Sequence, residues 1–169
     1  IEDIGRYFIR IAEEITAGKQ IDLAFLETTV TDMIINVVMD SNMILELLKV
    51  RETPEDFLFS HSLKVCALTV LIAIAMEFER DVLIEIGQGA LLHDIGMLKL
   101  RNDFLTGTGR LSPRETTEYR AHPLLGVSIL RNINGIKNTP LLIVLQHHER
   151  EDGSGFPKGF AKEKIHQFA

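Results

Sequence analysis

The adjacent pair His93-Asp94 is accompanied by four further histidines, each on or beside an apolar segment. A histidine next to an aspartate can hold one metal ion, and the second carboxylate oxygen can reach another. The four further histidines are His61, His122, His147 and His148. We expect all five histidines on helical segments, where packing alone does not explain them. The pattern therefore predicts a metal centre.

Imidazole and carboxylate ligands together suit iron, manganese, zinc or nickel. Six candidate ligands exceed the four that one tetrahedral site uses, so we predict two ions bridged by Asp94. Two ions activate a water and stabilise both oxygens of a displacement at phosphorus, which predicts phosphoester hydrolysis with His93 and Asp94 beside the bridged water. A structural metal site is the competing interpretation, but structural zinc favours cysteine and the chain has one.

Composition limits the other classes of function. The 169 residues fit one domain, and 46% hydrophobic with 25% charged residues indicates a globular chain. The net charge of -6 without a basic stripe excludes duplex nucleic acid as a partner. An anionic substrate remains compatible with this charge if metal ions supply positive charge locally.

The single cysteine, Cys66, lies in the most apolar run, residues 65–76. It is interpreted as a small buried hydrophobe in a reducing compartment, so we expect cytoplasmic localisation. The run is shorter than the roughly 20 residues that a membrane-spanning helix needs. We therefore expect a buried core helix and no membrane contact by this segment.

Apolar periodicity predicts helices over residues 4–16, 23–39 and 43–50, with Gly18 ending the first and Asp22 capping the second. No cluster of polar residues with a chemical role lies among them. We interpret residues 1–50 as an N-terminal helical segment that links to an upstream sensor.

The remaining sequence also predicts helices and no strands. The signals comprise a start at Thr53-Pro54 and a capping box from Ser112 to Glu115. The expected helices run to about residue 78, from 80 to about 98, from 122, and from 141 to 148. Residues 99–111 and 149–159 are expected to be irregular, and helical pattern resumes near Lys162.

These motifs, taken in order, resemble the HD-GYP domain, a branch of the HD phosphohydrolase superfamily. The resemblance covers roughly residues 50–169. The motifs that carry it are His61-Ser62, His93-Asp94-Ile95-Gly96, His122-Pro123 with Gly126, Gln146-His147-His148-Glu149, and Asp152-Gly153-Ser154-Gly155-Phe156-Pro157.

The resemblance implies an all-α HD-domain bundle around a binuclear metal centre, formed by residues 51–169. It implies a phosphodiesterase that hydrolyses cyclic di-GMP to pGpG or GMP in bacterial signalling. The usual metal is iron or manganese, and zinc or nickel stays open. In this pattern one ion is held by His61, His93 and Asp94. The other is held by Asp94, His122, His147 and His148.

The resemblance also implies substrate contacts from the glycine-rich loop, because glycines let the backbone approach a guanine or a phosphate. The same sequence is also a plain turn signal between helices. The expected contacts are Lys99, Asp152, Gly153, Ser154, Gly155, Phe156, Pro157 and Lys158. Expected partners are cyclic di-GMP and a diguanylate cyclase domain or other signalling protein, and the oligomeric state stays open.

The sequence departs from the family pattern at three positions and in its extent. Phe156 replaces the tyrosine of Gly-Tyr-Pro and has no hydroxyl. Met97 stands where a lysine is frequent. Phe57 replaces the glutamate of members with three metals, so we expect two ions. The family's last metal-binding aspartate falls beyond Ala169, so the end of the domain is expected to be missing or disordered.

Two other functions are compatible with parts of the sequence. A weakly active or inactive cyclic di-GMP receptor, or a protein-interaction domain, is favoured by Phe156 and Met97. An HD hydrolase acting on ordinary nucleotides is disfavoured by the loop from Asp152 to Pro157.

Overall fold

The computed structural model describes residues 10–15, 17–19, 21–40, 42–49, 57–100 and 110–169. Within these ranges the chain is helical, and the predicted all-α class is confirmed. The α-helices are α1 (Leu23–Met39), α2 (Asn42–Lys49), α3 (Phe57–Ala75), α4 (Arg80–Leu92), α5 (Pro113–Tyr119), α6 (His122–Leu130) and α7 (Asn138–Gln146). Residues 95–99 and 162–164 form 3-10 helices. In the described ranges, β-pairing is limited to an isolated bridge between Asp152 and Ala161.

Local capping signals fix where several helices begin. The Asp22 side chain accepts a hydrogen bond from the Ala24 backbone N–H and caps α1, as predicted. Ser112 and Glu115 form the predicted capping box at the start of α5. The helix predicted over 43–50 is present and begins one residue earlier, at Asn42. The predicted start at Thr53-Pro54 lies outside the described residues.

The core lies between α1, α3, α4 and α7. α3 packs against α1, α2 and α4, and α4 also packs against α7. Leu26 and Val30 of α1 and Val70 of α3 are fully buried there. By length and composition α3 could cross a bilayer, with a mean hydropathy of 1.9, but 44% of it is buried inside the fold. These contacts make α3 a core helix of this domain.

Three of the five histidines lie just after helices, so the expectation that all five are helical is wrong. α4 ends at Leu92 and not near residue 98, and His93 follows as its C-cap. α7 ends at Gln146, with His147 as its C-cap and His148 in the next turn. The reason is local, because the histidine rings hydrogen-bond the last carbonyls of these helices, which have no intrahelical partner.

The prediction of a helix near Lys162 is also wrong, since the structure has a single 3-10 turn over Lys162–Lys164. Gln146, which is buried, holds this segment by its side chain. Its Oε1 accepts from the His166 backbone N–H at 2.7 Å, and its Nε2 donates to the Lys164 carbonyl at 3.3 Å. These bonds occupy backbone groups that a continuing helix would use.

Candidate metal centre

Helix ends bring the predicted ligands together. His93 and Asp94 follow the end of α4, His122 begins α6, and His147 follows the end of α7. His61 reaches the same place from the second turn of α3. His122 is fully buried, whereas the side chain of His61 is 39% exposed. The centre therefore has a closed inner side and an open side at His61.

The imidazole rings of three histidines are oriented by backbone carbonyls. Nδ1 of His93 bonds Ala90 O at 2.8 Å, and Nδ1 of His122 bonds Tyr119 O at 2.8 Å. Nδ1 of His147 bonds the carbonyl of residue 144 at 3.0 Å. A carbonyl only accepts, so each Nδ1 donates, and in the neutral ring Nε2 keeps its lone pair. This arrangement presents Nε2 as a ligand.

The Nε2 atoms of four histidines face the carboxylate of Asp94. Those of His122 and His147 lie 3.1 and 3.4 Å from Oδ1. Those of His93 and His61 lie 3.2 and 3.8 Å from Oδ2. Oδ1 is buried and receives no hydrogen bond from the described residues. Facing lone pairs repel unless a cation lies between them, so the donor set fits bound metal.

The ligand atoms form two groups that share Asp94. One group contains His61, His93 and Asp94, and within each group the ligand atoms lie within 4.8 Å of one another. The other group contains Asp94, His122, His147 and His148. The structure thus brings together all six residues singled out in the sequence, in two sets around one carboxylate.

The charge states of these side chains also suit metal binding. Burial would raise the pKa of Asp94, but hydrogen bonds that protonated rings of His122, His147 and His93 would donate outweigh burial and hold that pKa well below its usual range. A bound metal ion would take the place of those protons. Burial, followed by repulsion from His147 and His122, lowers the pKa of His148 to about 4. At neutral pH, Asp94 is therefore an anion and His148 a neutral ring, which are the forms that bind metals.

Gly96 sets the distance between the His93-Asp94 turn and α6. A Cβ at this position would overlap the carbonyl oxygen of His122 and would lie 2.6 Å from the amide nitrogen of Gly126. Only glycine therefore allows the 3-10 helix after Asp94 to pack this closely against α6.

The glycine-rich loop folds back onto the centre. The Phe156 ring stacks on His148, with centroids 4.4 Å apart and planes inclined by 22°. The Phe156 N–H donates to the His148 carbonyl at 3.2 Å. At Gly155, a Cβ would lie 2.5 Å from the Glu149 Cα and the Arg150 nitrogen, so this turn has no room for a side chain. The loop therefore forms a wall of the centre.

Glu149, whose role the sequence did not reveal, holds this loop in shape. Its carboxylate accepts from the Lys158 N–H at 2.7 Å and from the Phe160 N–H at 2.8 Å. Its position directly after two ligand histidines was the available signal. The Lys158 side chain is exposed, so its backbone and not its amine is engaged here.

The other predicted substrate contacts occupy different settings. Asp152 accepts from the Ser154 N–H at 2.9 Å, Gly153 has a φ of 76°, and Pro157 follows a cis peptide bond. Lys99 instead lines a cavity of about 570 Å³ with Ser128, toward the end of α6 opposite to His122. The structure thus places Gly155 and Phe156 beside His148, whereas Lys99 lines a separate cavity.

The sequence also gave no role to two residues near His122, the aromatic Tyr119 and the basic Arg120. The Tyr119 ring lies 5.0 Å from that of His122 and 6.2 Å from that of His148. The Arg120 guanidinium carbon lies 5.3 Å from the centroid of Phe156. Their place immediately before a ligand histidine was the signal for both.

The sequence matches a known family and several known proteins. A family model described as HD domain matches residues 44–169. Cyclic di-GMP phosphodiesterase PA4108 of Pseudomonas aeruginosa is 32% identical over 148 residues, which are 88% of this chain and 36% of the relative. A cyclic di-GMP phosphodiesterase of Thermotoga maritima is 36% identical over 110 residues, 62% of this chain and 29% of the relative.

A further relative has a different named substrate. The 3'3'-cGAMP-specific phosphodiesterase 3 of Vibrio cholerae is 32% identical over 117 residues, 69% of this chain and 25% of the relative. This chain thus spans between 25% and 36% of the length of these three relatives. The chain belongs to the HD-domain family, and its resemblance to the HD-GYP branch is confirmed.

Proposed function

We propose that this chain is a metal-dependent phosphodiesterase domain that hydrolyses cyclic di-GMP to pGpG or GMP. The observation that carries the proposal is the convergence of imidazole Nε2 atoms from four histidines on the buried carboxylate of Asp94. The names of the relatives support the same substrate class.

In this proposal His61, His93 and Asp94 hold one divalent ion, and Asp94, His122, His147 and His148 hold the other. The donor set suits iron or manganese, with zinc or nickel as alternatives. When bound, two such ions lower the pKa of a water and offset the charge that develops on the phosphoryl oxygens. His93 and Asp94, placed next to both groups, are the proposed catalytic residues.

The protein contributes orientation and a fixed charge. The carbonyls of residues 90, 119 and 144 keep three rings in the metal-binding tautomer. Asp94 stays anionic because the imidazoles lower its pKa. Hydrolysis breaks one P–O3' bond of the cyclic diester and adds water, which leaves a 5'-phosphate and a 3'-hydroxyl. Repetition on pGpG would release two GMP molecules.

The loop 152–158 is the proposed substrate-binding segment. Its supporting feature is the Phe156 ring, which extends the wall of the centre beyond His148 and offers an apolar face for a base. Lys99 is not included among the proposed substrate-binding residues, because it lines the separate cavity with Ser128. For the whole protein, we propose cytoplasmic localisation and regulation by a sensor or cyclase domain joined through residues 1–50.

The direct test incubates anaerobically prepared, metal-loaded protein with cyclic di-GMP and, separately, with 3'3'-cGAMP. Chromatography then identifies the products. We expect pGpG or GMP from cyclic di-GMP and no product with the Asp94→Asn variant. Faster cleavage of 3'3'-cGAMP would assign the substrate named for the Vibrio relative. Tight binding of cyclic di-GMP without turnover would support the receptor function instead and would contradict the proposal.

A further inference from the structure

Arg120 places a positive charge at the edge of the candidate metal centre. It is the C-cap of α5, two residues before the ligand His122, and its side chain is exposed. Its guanidinium carbon lies 5.3 Å from the centroid of Phe156, and the same ring stacks on His148. The Phe156 ring therefore contacts both a candidate metal ligand and a cation.

The Arg120 guanidinium has N–H donors that can bind an anion in addition to its contact with Phe156. Among the described residues, Arg120 forms no ion pair, in contrast to Arg114 on the same helix, which pairs with Glu118 at 3.2 Å. Contact with an aromatic ring limits the positions that the guanidinium samples. Its N–H groups form a planar fork that matches two oxygens of a phosphate.

We propose that Arg120 binds the phosphodiester group of the substrate that is not being cleaved. This inference rests on the proposed function, since a cyclic dinucleotide carries two phosphodiesters and the metal centre engages one. The second anion needs a countercharge in a chain whose net charge is -6. Arg120, just beyond the Phe156 wall, supplies that charge. Arg120 is thus a substrate-binding residue, and Phe156 positions it.

The experiment compares a substrate with two phosphodiesters with one that has a single phosphodiester. Cyclic di-GMP and bis(p-nitrophenyl) phosphate are given to metal-loaded wild type, Arg120→Gln and Arg120→Lys, with Arg114→Gln as the matched control. For Arg120→Gln we expect KM for cyclic di-GMP to rise about tenfold or more, while kcat changes by less than about threefold. For Arg120→Lys, KM should lie between the values for wild type and Arg120→Gln, because lysine keeps the positive charge but lacks the planar fork of N–H donors.

Two further measurements distinguish a charge contact between Arg120 and the substrate from a structural role of Arg120 in holding Phe156. Hydrolysis of bis(p-nitrophenyl) phosphate should be unchanged in Arg114→Gln and should fall much less than that of cyclic di-GMP in the Arg120 variants, because its single diester needs mainly the metal centre. Calorimetric titration of metal-loaded protein with a non-hydrolysable phosphorothioate analogue of cyclic di-GMP should give a Kd about tenfold weaker for Arg120→Gln. That difference should shrink as salt is raised, since screening weakens exposed ionic contacts.

The outcomes separate this inference from the proposed function. If wild type cleaves cyclic di-GMP and Arg120→Gln matches it in KM and Kd, the role of Arg120 is wrong and the function stands. If Arg120→Gln slows both substrates equally, Arg120 acts only by holding Phe156 and the inference is again wrong. If wild type cleaves the small diester but neither binds nor cleaves cyclic di-GMP, the proposed substrate is wrong, and this inference falls with it.

Discussion

Oδ1 of Asp94 and Nε2 of His122 lie 3.1 Å apart, although both atoms are hydrogen-bond acceptors in the neutral-ring state. The His122 proton is committed on the other nitrogen, which donates to the Tyr119 carbonyl. Such a pair is repulsive by itself and becomes favourable when a cation binds both atoms. The arrangement is therefore that of two ligands prepared for one metal ion.

Replacement of Asp94 by asparagine should remove most bound metal. The amide keeps the volume but lacks the negative charge shared by the two ligand groups. Elemental analysis should show a fall from about two ions per chain to well below one. Asp81→Asn, on the exposed surface of α4, is the control and should retain wild-type metal content. Wild-type metal content in Asp94→Asn would rule out the bridging role.

Gly96→Ala should destabilise the fold more than Gly126→Ala. The new methyl at 96 meets the backbone of His122, which cannot move without displacing α6, whereas the methyl at 126 meets a Val144 side-chain methyl at 2.7 Å. We expect Gly96→Ala to cost about 3 kcal/mol in urea unfolding, and Gly126→Ala about 1–2 kcal/mol. Metal content should also fall in Gly96→Ala. Equal stability of the two variants would show that this packing is not tight.

Glu149→Ala should loosen the glycine-rich loop and leave the ligands in place. It removes the acceptor of the Lys158 and Phe160 N–H groups. We expect a loss of about 1–3 kcal/mol and faster proteolysis within residues 150–160, with metal content unchanged. Glu151→Ala, at an exposed neighbouring position, is the control and should leave both properties unaltered. An intact loop in Glu149→Ala would mean that other contacts determine its shape.

Cys66 should be chemically inert in the folded protein. Burial raises the pKa of its thiol to about 12, and its Sγ lies 3.4 Å from the Gly87 carbonyl. Alkylation at pH 8 should be at least about a hundredfold slower in native than in urea-unfolded protein. Because the thiol pKa is higher in the folded state, Cys66 contributes its full share of folding stability below the unfolded pKa of about 8.5. That contribution is lost as the pH rises toward 12. Equal alkylation rates in both states would contradict the burial.

Local signals predicted the helices well, because caps and apolar periodicity act within a few residues. Asp22, Ser112 and Glu115 are examples. The ends of α4 and α7 were missed, because the chain has no glycine stop there and the histidine rings bind the last carbonyls instead.

The ligand set was visible in the sequence because residue types carry metal chemistry. The surroundings of the ligands depend on tertiary contacts between distant residues. Arg120 meets Phe156 only because the loop after α7 folds back onto the end of α5. Lys99 was expected near the substrate because of its position along the chain, but the 3-10 helix directs it to the cavity beside Ser128.

The most direct test of the binuclear centre is a titration of metal-free protein with Mn²⁺ or anaerobic Fe²⁺, with cyclic di-GMP hydrolysis measured at each addition. The group with four ligands should fill before the group with three. Hydrolysis should therefore stay near background up to about one equivalent per chain and then rise to a plateau at about two. Full activity at one equivalent, or no activity with two ions bound, would contradict the account.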